Sequence, residues 1–127
     1  MTAYRRARAQ GATWFFTVNL ADRRARLLAD NIGLLRDAFR SVRSRHPFAI
    51  DAIVVLPDHL HAIWTLPDDD ANYPMRWRLI KSAFSRGIAT WEALSASRTS
   101  KSERGIWQRR YWEHRIRGED DLAAHVD

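Results

Sequence analysis

The sequence predicts an α+β fold built on one antiparallel sheet, and two observations carry this prediction. Short runs of β-branched and aromatic residues alternate with longer segments in which apolar residues recur every three or four positions. Their order is β-α-β-β-α-β, followed by a further helical segment. This order is typical of the split β-α-β, ferredoxin-like arrangement, in which a four-stranded antiparallel sheet carries two helices on one face. The other face can hold a site, and the C-terminal helix, truncated in this sequence, is expected to lie over it.

The first half of the chain is expected to form three strands and one helix. Residues 13–20 are rich in β-branched and aromatic side chains and predict the first strand. A helix follows from Asp30, a residue type that caps helix N-termini. Residues 48–56 and 59–66 predict the second and third strands. The two-residue connection between them favours an antiparallel hairpin.

The second half is expected to add a long helix, a fourth strand and the start of a third helix. Pro74 suits the first turn of the long helix, which is predicted to run to about Leu94. Residues 95–104 form a polar connection, and residues 111–116 predict the fourth strand. Residues 119–127 begin with three acidic side chains, which favour the positive end of a helix.

Residues 1–127 are expected to form a single domain, because this length supplies one hydrophobic core but not two. The chain has no cysteine, which excludes a disulfide scaffold, a thiolate nucleophile and a zinc site with cysteine ligands. No apolar run approaches the length of a membrane span, and no signal-peptide core follows the N-terminus. We therefore expect a cytoplasmic protein without a membrane partner.

The charge pattern favours nucleic acid as the partner. The formal net charge is +6, and only two of the 21 basic residues are lysine. Arginine binds phosphate and guanine edges through paired hydrogen bonds and stacks on bases. A GC-rich genome would also enrich arginine, and composition does not separate the two causes. Residues 51–72 differ from the rest, since they carry five Asp and no Lys or Arg.

The pair His59 and His61 is the strongest chemical signal in the sequence. Alternate residues on a strand point to the same face, so both imidazoles are expected to point one way and Leu60 into the core. Two imidazoles fixed on a rigid strand suit a divalent metal ion. In an arginine-rich protein this favours metal-assisted chemistry on nucleic acid. The simpler interpretation, that both are exposed or hydrogen-bonded histidines, stays open on spacing alone.

Three more residues have two interpretations each. Asp58 could orient His59 for a metal, or it could serve only the turn after Pro57. His114 and His125 could be additional ligands, although a surface or hydrogen-bonded histidine is the more common role.

Six segments scattered in order over nearly the whole chain resemble one protein family. His-x-His alone is a weak motif, but the set is specific. It comprises Tyr4–Arg6, Gly11–Leu20, Val54–His61, Ile63–Pro67, Trp77–Lys81 and Ile106–Arg117. With these segments the chain resembles the REP-associated tyrosine transposases, a branch of the single-tyrosine HUH transposases.

This resemblance implies a fold, a cofactor and a reaction. It implies the ferredoxin-like fold, with His59 and His61 as the residues that hold Mg²⁺ or Mn²⁺. A tyrosine on a C-terminal helix would attack a DNA phosphodiester, form a 5′-phosphotyrosine link and leave a free 3′-OH. The implied substrates are single-stranded DNA hairpins, the REP elements, with a short guide tetranucleotide beside the stem. A metal ion that polarises the phosphate and a phenolate nucleophile suit this chemistry.

The chain departs from the family pattern at its C-terminal end. The family's nucleophile follows directly after a His-Val-Asp sequence, with a polar metal ligand one turn later, whereas this sequence stops at Asp127. We therefore expect these 127 residues to lack the catalytic tyrosine and to be inactive by themselves. Tyr111 is the first candidate substitute, followed by Tyr4 and Tyr73. We expect Tyr111 to pack within a strand instead.

The expected partner is a single-stranded DNA hairpin, bound by a monomer or weak dimer at the nucleoid. A cupin-like or amidohydrolase-like metal site does not fit, since the first needs glycine-rich turns and the second a much longer barrel. A nucleic-acid-binding module without chemistry fits well and is the alternative. The predicted DNA contacts are phosphate binding by Arg5, Arg6, Arg8, Arg78, Lys81, Arg109 and Arg110, and base stacking by Trp107.

Overall fold

The computed structural model describes residues 11–91 and 105–117. Arg5, Arg6, Arg8, the predicted connection 95–104 and the predicted helix 119–127 lie outside these residues. The elements are β1 (Thr13–Asn19), α1 (Leu27–Asp30), α2 (Ile32–Arg45), β2 (Ala49–Val55), β3 (His59–Thr65), α3 (Tyr73–Trp91) and β4 (Trp112–Arg115).

The four strands form one sheet in the spatial order β2-β3-β1-β4. Every neighbouring pair is antiparallel. This topology confirms the predicted ferredoxin-like α+β fold. The hairpin of β2 and β3 is also present, with one irregularity in its register between Ile50 and Ala52.

Each strand divides its side chains between two faces. Phe16 and Val18 on β1, like Leu60 and Trp64 on β3, are completely buried. They contact the helices, so we call this side the helix face. The alternate residues of β1 and β3 point to the opposite side, which we call the open face.

The helix face holds a core rich in aromatic rings. Trp64 of β3 stacks on Trp77 of α3 with ring centroids 4.3 Å apart. Phe16 meets the edges of both rings, at 4.9 Å and 5.4 Å. Offset and edge-to-face arrangements of this kind add to the free energy gained by burying the rings. The core positions the strands that carry the open face.

Two local predictions are wrong. Asp30 does not cap the long first helix, because it ends the short α1, and α2 begins at Ile32. Asn31 occupies the N-cap position, and its side-chain amide donates back to the carbonyl of Leu27 instead of capping α2. Tyr111 was expected in the fourth strand, but β4 begins one residue later at Trp112.

A buried arginine joins the start of α3 to the end of α2. Arg76 of α3 is only 2% exposed. Its guanidinium donates two hydrogen bonds to Asp70, at 2.9 Å and 3.1 Å, and others to the carbonyls of His46 and Pro47. These bonds hold the start of α3 against the connection between α2 and β2. Among the described helices, none is long and apolar enough to cross a membrane.

Candidate active site

Strand β3 places both histidines on the open face. His59 and His61 lie on either side of the completely buried Leu60. Their ring centroids are 5.0 Å apart and their ring planes are nearly perpendicular, at 82°. The alternation of side chains along the strand therefore brings the two imidazoles together, as a shared ion would require.

The ring of His59 is fixed by a chain of three side chains. Its Nδ1 lies 2.9 Å from Oδ1 of Asp58, and Oδ2 of Asp58 accepts a 2.7 Å hydrogen bond from Nε of Arg23. The hydrogen bonds from His59 and Arg23 lower the pKa of Asp58 to about 2. An ionised carboxylate favours a proton on Nδ1 of His59, which leaves Nε2 as the lone-pair nitrogen.

Asp58 also has the role in the turn that was the alternative interpretation. Its carbonyl accepts a 2.9 Å hydrogen bond from the backbone N–H of Leu20, and the carbonyl of Pro57 accepts one from Leu28. The backbone of Asp58 therefore ties the turn to the end of β1, while its side chain holds His59. The two interpretations are compatible.

The ring of His61 is held by a hydroxyl from the neighbouring strand. Thr17 pairs with His61 in the register of β1 and β3, and Oγ1 of Thr17 lies 2.9 Å from Nδ1 of His61. Burial lowers the pKa of His61, and the nearby His59 lowers it further. The imidazole is thus held neutral, the form that binds metal ions. In the tautomer that donates its Nδ1 proton to Thr17, Nε2 of His61 is available as well.

The sequence did not identify Thr17 or Arg23 as part of the site. Thr17 contacts His61 only because β1 lies beside β3, and Arg23 reaches Asp58 from the loop after β1. The sequence signal for this face was the set of polar residues at alternate positions of β1, which are Thr13, Thr17 and Asn19. It indicates a face that is not core, but not which residue lies opposite.

The described tyrosines lie on the wrong face for attack at this site. The ring of Tyr111 packs 6.1 Å from both Phe16 and Trp77, and the ring of Tyr73 packs 5.1 Å from Phe16. Phe16 and Trp77 belong to the core of the helix face, whereas the histidines face the other way. Burial raises the pKa of Tyr111 to about 12, so its phenolate is strongly disfavoured.

Two of the predicted DNA contacts are packed into the protein instead. Trp107 is 5% exposed, and its ring meets that of Phe84 at 5.5 Å, so the predicted stacking of a base on Trp107 is wrong. Nζ of Lys81 donates to the carbonyl of Gln108 and lies 4.8 Å from the ring centroid of Tyr111. Lys81 therefore joins α3 to the segment before β4, and burial lowers its pKa to about 8.

The three other predicted DNA contacts within the described residues are exposed. Arg109 and Arg110 lie in the segment that leads into β4. Arg78 lies on α3, which covers the helix face, so it is separated from the histidines by the sheet. His114, a candidate additional metal ligand, lies on β4 and pairs with Phe15. Within residues 11–91 and 105–117, no group of three or more His, Cys, Asp or Glu could hold a metal ion.

No protein-family model matches this chain. Known proteins, however, match it over its whole length. The chain is 44% identical over 127 residues to the REP-associated tyrosine transposase of Escherichia coli K12, and the match covers 100% of this chain and 69% of the relative. It is 41% identical over 128 residues to a Haemophilus influenzae protein named for the same family, covering 100% of this chain and 73% of that relative.

Solved structures support the same relationship. A REP-associated tyrosine transposase bound to a REP hairpin matches with a TM-score of 0.79 and 44% identity, over 92% of this chain and 63% of the solved chain. A candidate transposase from Deinococcus radiodurans matches with a TM-score of 0.62 over 91% of this chain and 85% of its own, and at 15% identity it supports the fold alone. The sequence identity extends over the full length of the chain, and the fold is a ferredoxin-like sheet with two histidines on its open face. The chain therefore belongs to the REP-associated tyrosine transposase family.

Proposed function

We propose that this chain is the DNA-binding and metal-holding part of an enzyme that nicks and rejoins single-stranded DNA at REP-type hairpins. The observation that carries the proposal is the shared orientation of His59 and His61, each with Nδ1 engaged by a neighbouring side chain. The solved relative bound to a REP hairpin supports the choice of DNA. Because the proposed ligand is DNA, we expect the protein at the nucleoid in the cytoplasm, as a monomer or weak dimer.

The donor set of the site fits Mn²⁺ better than Mg²⁺. Two neutral imidazoles offer nitrogen ligands, which Mn²⁺ accepts more readily than the oxygen-preferring Mg²⁺. A bound divalent ion would polarise the scissile phosphate and stabilise the negative charge that develops on its oxygens. With only two protein ligands among the described residues, we expect weak binding that DNA strengthens.

The residues of the chain supply orientation for this reaction. Asp58 and Thr17 fix the two rings, and the lowered pKa of His61 keeps it unprotonated and available. A tyrosine oxygen then forms a bond to the phosphorus, and the bond from phosphorus to the 3′-oxygen breaks. The tyrosine hydroxyl loses its proton as this bond forms, and the leaving 3′-oxygen takes up a proton, so the products are the 5′-phosphotyrosine link and a free 3′-OH. As the resemblance implies, we propose that this tyrosine follows directly after Asp127 in the complete enzyme.

A non-catalytic hairpin-binding module is the second candidate function. It is favoured by the placement of Tyr73 and Tyr111, since both pack on the helix face and neither can reach a phosphate at the histidines. In this case the histidine pair would hold or orient DNA without cleaving it.

The test incubates a 32P-labelled hairpin and Mn²⁺ with the 127-residue chain and with a longer version that continues past Asp127 through a tyrosine. We expect a covalent protein–DNA adduct from the longer version alone, and its loss in the His59→Ala and His61→Ala variants. Binding without an adduct from either protein would leave the non-catalytic module as the function. An adduct from the 127-residue chain that disappears in the Tyr111→Phe variant would overturn the proposed role of the C-terminal tyrosine.

A further inference from the structure

A row of aromatic rings crosses the open face, starting at the histidine pair. The ring of His61 stacks on Phe15 with centroids 5.7 Å apart, and Phe15 meets the edge of Trp112, also at 5.7 Å. Trp112 in turn stacks on His114 at 5.6 Å, with the planes only 5° apart. The row therefore runs across β3, β1 and β4 without a gap in ring contacts.

Trp112 is the most exposed member of this row. Its exposed fraction is 52%, whereas Trp64, Trp77 and Trp107 are between 0% and 5% exposed. A single exposed apolar residue is ordinary on a protein surface. Trp112 differs because it continues a row of rings that ends at the candidate metal site. A large flat ring held by neighbouring rings is the kind of surface on which bases stack.

The register places Trp112 close enough to the histidines for one DNA segment to contact both. Trp112 pairs with Thr17, and Thr17 pairs with His61. Two strand spacings therefore separate the backbones of Trp112 and His61, roughly 10 Å at about 4.8 Å per spacing. An unpaired nucleotide spans this gap when its base lies on Trp112 and an adjacent phosphate lies at the imidazoles.

The charges around β4 suit a DNA backbone. Arg109 and Arg110 are exposed in the segment before the strand, and Arg117 is exposed two residues after its end. Single-strand-binding surfaces combine aromatic platforms for bases with basic residues along the backbone path. Glu113, the acidic residue of β4, pairs with Phe16 and so points to the helix face, away from the row.

We infer that Trp112 is the stacking platform for an unpaired nucleobase next to the phosphate held at His59 and His61. This inference rests on the proposed function, because it assumes that the open face binds single-stranded DNA. It assigns the role that the sequence suggested for Trp107 to a residue five positions later. Trp112 would also help to fix the position of the single strand relative to the metal site.

The test measures the affinity of hairpins whose single-stranded flank carries one abasic position at a time. We expect Trp112→Ala to weaken binding of the intact hairpin about 10-fold or more, and Trp112→Phe to retain most of the affinity. In the wild type, one abasic position should reproduce this loss. The same abasic position should cause no further loss in Trp112→Ala. Ile53→Ala is the control, because Ile53 is an exposed apolar residue (40%) whose strand partner Ala62 faces the helices.

The outcomes separate this inference from the proposed function. The stacking role alone is overturned if the Trp112→Ala variant binds as tightly as the wild type. It is also overturned if that variant loses affinity equally at every abasic position. A Trp112→Ala variant that binds DNA normally but self-associates less would identify the ring as a protein contact and also overturns it. A wild type that binds the hairpin no better than duplex DNA of the same composition contradicts the proposed function, and the inference falls with it.

Discussion

The two faces of the sheet are built from the same strands but are stabilised differently. On the helix face, β1 and β3 contribute side chains such as Phe16, Val18 and Leu60, each 0% exposed. On the open face the same strands contribute Thr17, His59 and His61, which are partly exposed and held by hydrogen bonds. Burial of apolar side chains stabilises the helix face, whereas hydrogen bonds on the open face orient the two histidines. Substitutions should therefore change folding on one face and ligand binding on the other.

The largest effect is expected from Arg76, the buried cation of the helix face. Arg76→Leu removes the guanidinium and leaves Asp70 and the carbonyls of His46 and Pro47 without their donor. We expect a loss of about 3 kcal/mol in the free energy of unfolding, because the partly buried carboxylate of Asp70 and the two carbonyls all lose the hydrogen bonds of a buried guanidinium. Urea unfolding measures this loss. Arg78→Leu, on the exposed side of α3, is the control and should change stability by less than about 0.5 kcal/mol.

An intermediate effect, on metal binding and not on stability, is expected from Thr17. Thr17→Val preserves the shape of the side chain but removes the partner of Nδ1 of His61. We expect Mn²⁺ affinity to fall about 10- to 100-fold, as is typical when a residue orienting a metal ligand is lost. Thr17→Ser keeps the hydroxyl and should bind Mn²⁺ nearly as the wild type does. Equal losses in the Val and Ser variants would show that packing, and not the hydrogen bond, is responsible.

The smallest effect is expected from Lys81 and depends on pH. Burial lowers the pKa of Lys81 to about 8, so the unfolded chain binds its proton more tightly than the folded chain does. Stability should therefore rise with pH above about 8, until the pH approaches the pKa of the unfolded lysine. The rise should be about 1 kcal/mol, because partial solvent access screens the charge. Lys81→Met should abolish it in urea unfolding between pH 7 and pH 9.5, and an unchanged slope would contradict a partly buried ammonium.

The sequence predicted the helix face well, because alternation and helical periodicity directly report which residues are buried. It also predicted that Leu60 and the two histidines point in opposite directions. It could not predict that Thr17 contacts His61, since residues 44 positions apart meet only through the β1–β3 register. It assigned base stacking to the buried Trp107, because the segment before β4 has no regular period from which burial could be predicted. Trp107 is buried beside β1, where it forms an isolated bridge with Leu20.

The position of Lys81 against the protein could have been predicted from the sequence, but its positive charge was interpreted as a DNA contact. It lies four residues after Trp77 and three before Phe84, on the apolar stripe of α3. Helical periodicity would have placed it against the protein. The presence of a positive charge in an arginine-rich chain favoured DNA instead.

We propose that His59 and His61 together hold one divalent ion on the open face. Titration of Mn²⁺ into the 127-residue chain with hairpin DNA, followed by the EPR signal of free Mn²⁺, tests it directly. We predict one Mn²⁺ bound per chain, lost in either His59→Ala or His61→Ala, and retained in the control His114→Ala. Folding of each variant is checked by circular dichroism. Equal Mn²⁺ binding by the wild type and both histidine variants would contradict the claim.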